Sequence, residues 1–156
     1  MEPTQIWTGV SFAAVVLGIH GAYYGALADT CLKIGTELSD ASEGTTGFQD
    51  AITPPSSTNF RIINWLATLL LAGVSWYYIG FAGIAVFLVV RFVASLVSGA
   101  SFKTDPPRKY FCRMVYSSMG NREADYAKAG DTMRSEAMND LRTRFERSHF
   151  AKCLAQ

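Results

Sequence analysis

Neither of the two long apolar stretches of this chain contains a single Asp, Glu, Lys or Arg: Ile6 to Ala28 runs for twenty-three residues and Ile62 to Val90 for twenty-nine. Either is long enough to cross a hydrocarbon core of about 30 Å at a helical rise of about 1.5 Å per residue. A soluble interior is excluded for both, because so small a chain has no room to bury them. Other absences narrow the chemistry. The three cysteines, Cys31, Cys112 and Cys153, are an odd, scattered set with no CxxC spacing, which excludes a disulfide framework or zinc site. Only His20 and His149 are available as imidazoles, and His149 falls in the polar tail, so one chain cannot build a bis-His haem. No GxSxG, HExxH or P-loop pattern occurs. Without an intramembrane carboxylate there is no proton or sodium relay, and a lone secondary transporter of this size lacks the repeated bundles such proteins need. The chain is therefore not expected to be an enzyme.

The charge that is present is uneven. Residues 1–100 carry three Lys or Arg against six acids, and residues 101–156 carry eleven against seven. Cationic flanks stay on the cytoplasmic side of a membrane, so the C-terminal tail is expected there, in a bacterial or an organellar inner membrane. A surplus of four positive charges over the tail is too small to support nucleic-acid binding. The first apolar run lacks the positive n-region of a cleaved signal peptide, with Glu2 ahead of it, and is expected to be retained as a span.

The predicted architecture is all-α, an integral membrane protein with three transmembrane helices, alternatively two, and a cytoplasmic helical tail. Residues 1–29 form the first span. Residues 30–60 form a polar loop, although 30–38 can prolong the first helix, and the Ser, Thr, Gly, Asp and Pro content of 39–59 breaks regular structure. Residues 61–101 are harder to divide, because Ile62 to Ala100 as one helix would measure about 58 Å. A turn near Trp76 to Gly80 gives a hairpin of two spans, while the alternative is one tilted helix from Trp65 to Val90. Charge bias favours the hairpin, which leaves Lys33 and Arg61 on the side of the tail. In the basic tail, 102–156, Asp105-Pro106-Pro107 starts a short helix that Gly120-Asn121 should end, and Gly130-Asp131 starts an amphipathic one.

Five groups of residues are candidates for function. Ala14, Gly18, Gly21 and Gly25 share a stripe that permits close helix packing. His20, in the middle of the first span, is a possible axial ligand to haem or chlorophyll, or else a polar residue bonded to a neighbouring helix. Arg91, costing about 2.5–3.5 kcal/mol at a span centre, either snorkels along Ser95 and Ser98 or pairs with an anion of lipid or partner. Arg108, Lys109 and Arg113, mixed with Tyr110, Phe111, Met114, Val115 and Tyr116, suit an anionic headgroup region. Met133, Met138, Leu141 and Phe145 form one face of a docking helix whose partner is either the short basic helix or another subunit. Contact surfaces without reactive groups point to a non-catalytic subunit of a larger membrane complex, packed against other membrane subunits and lipid, with no cofactor of its own. The alternatives are a homo-oligomeric pore or secretion component, and a haem- or chlorophyll-binding subunit.

Overall fold

The computed structural model describes residues 3–38 and 55–155, and the described residues are almost entirely helical. Helix α1 spans Pro3–Leu38, α2 Pro55–Ile79, α3 Phe81–Phe102, α4 Asp105–Lys128 and α5 Thr132–Arg147, followed by a 3₁₀ turn, His149–Cys153. They fall into two compact units: residues 3–26 with 56–104, and residues 27–38 with 105–155.

In the first unit three helices are long and apolar enough to cross a membrane, over Thr4–Leu38, Asn59–Ile79 and Phe81–Phe102. The single helix from Trp65 to Val90 does not form. The break falls at Gly80, whose φ of 74° is the left-handed conformation that glycine adopts without a Cβ penalty, so no Pro, Asn or Asp is needed. Its N–H still reaches the Trp76 carbonyl at 2.9 Å, and its carbonyl accepts from the Gly83 N–H at 3.0 Å. At Gly83 a Cβ would meet the Ile79 Cβ at 2.7 Å and the Ser75 carbonyl at 2.8 Å, so α3 leaves the corner hard against the end of α2. Val10 and Ala14 of α1 pack on Phe87 of α3, with Leu71 and Ala72 of α2 beside them. Farther on, Tyr23 meets Phe102, and Tyr24 stacks on Phe60. The helices thus run up, down and up.

Burial in this unit is inverted relative to a water-soluble domain. Phe12, Leu70 and Phe81 are 70%, 66% and 75% exposed, while Asn64 and Ser75 are 7% and 0% exposed. Large apolar side chains turned outward around buried polar ones need an apolar solvent.

The loop expected over 39–59 is shortened from its far end. Its residues 39–54 lie outside the described ones, and α2 already begins at Pro55. A proline at the first helical position loses no hydrogen bond and has its φ already set. Likewise α1 does not stop at Asp29, which pairs instead with Lys33 one turn on, at 2.9 Å.

The second unit is built on a 27, 31, 34, 38 stripe of α1. Leu27, Cys31, Ile34 and Leu38 are buried with Phe111, Cys112, Val115 and Met119 of α4, Met138, Leu141 and Phe145 of α5, and Phe150. Two expectations about α4 are corrected. It does not end at Gly120-Asn121 but continues to Lys128, because this stretch packs: a Cβ on Gly120 would touch the Arg142 guanidinium at 3.7 Å. The terminating glycine is Gly130, at φ 75°, with the Asp131 N–H closing on the Tyr126 carbonyl at 2.9 Å in a Schellman end. Asp131 then caps α5 by accepting from the Arg134 N–H at 3.1 Å. Of the apolar residues of α4, Phe111 and Val115 point into this core, while Tyr110 is left exposed.

Candidate functional site

The polar side chains of the three spans converge. Arg91 of α3 donates from Nη2 to Asn64 Oδ1 of α2 at 3.0 Å. A guanidinium can only donate, so this contact fixes which end of the Asn64 amide is oxygen. The amide nitrogen therefore faces α1, where Nδ2 donates to the Leu17 carbonyl at 3.2 Å and lies 3.0 Å from His20 Nδ1. His20 Nδ1 is then the acceptor, and the neutral ring carries its proton on Nε2. Tyr24 and Phe60 close on the ring edge-on, at centroid distances of 4.8 and 5.9 Å. The remaining span hydroxyls bond locally: Thr68 donates to the Asn64 carbonyl at 2.6 Å and Ser75 to the Leu71 carbonyl at 2.7 Å.

Glycines let this clasp close. At Gly18 a Cβ would lie 2.6 Å from the Arg91 carbonyl and 2.8 Å from the Ala94 Cβ, so α1 and α3 touch backbone to backbone there. Ala14 is fully buried. Gly21 is loosely placed, with Asn64 Oδ1 4.0 Å from its would-be Cβ, and nothing lies within 4 Å at Gly25. The stripe is therefore used within the chain at Ala14 and Gly18. Gly18→Ala is expected to cost about 1–3 kcal/mol of bundle stability and Gly25→Ala nothing measurable, read from unfolding midpoints in mixed detergent micelles.

Beside the clasp, Gly18 and Gly21 form one wall of a cleft of about 320 Å³, with Leu17, Leu88 and Phe92 as apolar lining and Arg91 and Ser95 as its polar groups. The Arg91 Nε is buried and has no hydrogen-bond partner among the described residues. Arg91 thus turns to Asn64 instead of running along Ser95 and Ser98 toward the span end. Comparison with known protein families, curated proteins and solved structures finds no significant match.

The other candidates separate. Arg108 and Lys109 are exposed, while Arg113 closes the C-terminal turn, donating from Nε to the Cys153 carbonyl at 2.8 Å and from Nη2 to that of Ala155 at 3.3 Å. Of the docking face, Met138, Leu141 and Phe145 are 3%, 7% and 0% exposed and covered by the chain itself, and Met133, at 83% exposed, is not part of that face. It sits in the first turn of α5, ahead of the packed stripe. Arg142 of α5 bonds Glu123 Oε2 at 2.6 Å and Tyr116 Oη at 3.1 Å, and the Tyr116 hydroxyl donates to Glu146. These acceptors, Tyr116 first, hold the guanidinium charge more firmly than usual. Among the described residues no three His, Cys, Asp or Glu side chains gather at one point.

Burial, reinforced by a hydrogen bond with Cys153, pushes the Cys112 thiol from 9.0 up to about 12. Because ionisation is easier in the unfolded chain, stability present below about pH 9 is lost as the pH rises from there toward 12. An alkylating reagent at pH 8 is expected to modify half-exposed Cys153 well before buried Cys31 and Cys112. Mass spectrometry of peptides after brief labelling checks the order.

Asn64, which joins all three helices, does not stand out by spacing. Its signal is rarity, since it is the one carboxamide between Ile62 and Val90. An amide that rare in an apolar run is worth pairing with other misfits.

Proposed function

We propose that this chain is a non-catalytic subunit of a membrane protein complex, held in the bilayer by a three-helix bundle and carrying a second compact helical unit. The observation that carries this reading is the Asn64 clasp. Its amide is spent on Leu17, His20 and Arg91, so the span polar groups lock helices together instead of facing a substrate. Two rival readings have less behind them. Ligation of haem or chlorophyll needs an unprotonated ring nitrogen, and at His20 one nitrogen is engaged by Asn64 while the other holds the proton. A homo-oligomer through the glycine stripe would have only Gly21 and Gly25 to use, since Gly18 is covered by Arg91, Ala94 and Ser95.

The test is gentle extraction in a mild detergent, followed by native mass spectrometry. The chain of 17.1 kDa is expected in a larger particle with other integral membrane chains at fixed stoichiometry. A clean monomer without companions defeats the proposal.

A further inference from the structure

Building on the subunit reading, we propose that Arg91 is the recognition point for a different membrane protein, one that presents an Asp or Glu carboxylate from the middle of its own spanning helix into the cleft between α1 and α3. Arg91 is a cation that cannot shed its proton to escape an apolar setting. Its bond to Asn64 Oδ1 is to a neutral group, and its Nε is buried without a partner among the described residues. The guanidinium also lines the cleft, where no described residue offers it an anion.

Three sources of a counter-ion can be compared. A second copy of this chain has none to give, because both apolar runs lack acids altogether. Asp29 and Glu37, at the far end of α1, are engaged by Lys33 at 2.9 Å and His149 at 3.4 Å. A lipid phosphate sits at the wrong depth. Arg91 is the eleventh of the 22 residues of α3, about 16 Å along the helix from either end, and its side chain is turned to Asn64. A carboxylate carried at mid-span by another helix matches that depth, and a partner with such an intramembrane acid has the same need of a cation. The cleft suits it. Gly21 leaves room on the α1 wall, Leu88 and Phe92 make the surroundings apolar, and Ser95 lines the same space beside Arg91. In such surroundings a charge pair is stronger than at a wet surface.

The experiment uses the full chain in phosphatidylcholine vesicles and a designed spanning peptide of leucine and alanine with a single central Asp, association being read by energy transfer between dyes. The control peptide carries Asn in place of Asp. The intact chain is expected to bind the Asp peptide roughly tenfold or more tightly than the Asn peptide, the scale of a charge-assisted hydrogen bond. That preference should vanish in Arg91→Gln. It should vanish too in Asn64→Asp, which supplies the carboxylate from within, at the loss of the donor to the Leu17 carbonyl and His20. Equal binding of the two peptides by the intact chain overturns the proposal, and that comparison needs no variant to fold. An Asp preference that survives Arg91→Gln overturns it as well. So does loss of the preference when phosphatidylglycerol is added, which would assign the cation to lipid. A chain that purifies with companions yet treats the two peptides alike loses this inference and keeps the subunit reading.

Discussion

Asn64→Leu is expected to destabilise the span bundle by about 3 kcal/mol, measured by reversible unfolding in mixed micelles with far-UV circular dichroism. Leucine has the same branched outline of heavy atoms, with bulkier ends, so the loss is chiefly polar. The substitution removes the Arg91 acceptor at 3.0 Å, the partner of His20 at 3.0 Å and the bond to the Leu17 carbonyl at 3.2 Å. A hydrogen bond between spanning helices is commonly worth about 0.6 kcal/mol and at most about 1.7, which alone would give less. The larger figure comes from Arg91, a partly buried cation, since stripping a charge of its partner costs up to about 3–5 kcal/mol in a low-dielectric interior. Asn64→Asp should fall between the parent and Asn64→Leu, because it leaves an acceptor facing the guanidinium but no donor for the Leu17 carbonyl or His20. An Asn64→Leu variant as stable as the parent would show that the three helices are held by packing alone.

Phe145→Ala is expected to cost about 3–5 kcal/mol, as much as a small helical unit has to lose. Phe145 is fully buried, stacked on Phe150 at a centroid distance of 5.7 Å and tilted over Tyr116 at 5.3 Å. Removing the ring opens a cavity where α4, α5 and the last turn meet, beside the Tyr116 hydroxyl that links Arg142 and Glu146. Near-UV circular dichroism and limited proteolysis of the full chain should show this unit loosening well below the parent's melting temperature. Met133→Ala, at an 83% exposed position, should stay within about 0.5 kcal/mol. Equal effects at the two positions would mean that α5 is not packed as described.

How much of this was legible beforehand depends on the range of the interaction. The spanning helices follow from local composition, since a run such as Ile6 to Ala28 has only one comfortable solvent whatever the rest of the chain does. The corner near Trp76 to Gly80 was readable as a region, and Gly80 as the breaking residue follows from its freedom at positive φ. The end of α4 was misjudged at Gly120-Asn121 because a local stop signal yields to packing, here against Arg142. Periodicity along α5 marks Met133, Met138, Leu141 and Phe145 alike, while burial separates Met133 from the other three.

What the amino-acid order determined alone is which segments are apolar enough for lipid: two uncharged runs, an amphipathic tail and two misplaced polar residues, His20 and Arg91. What only the tertiary structure decided is what those residues meet, because Asn64 lies 44 positions from His20 and 27 from Arg91 and nothing local brings them together. Hydropathy is a property of neighbours in sequence, while the satisfaction of a buried polar group depends on which helices pack, and at what height.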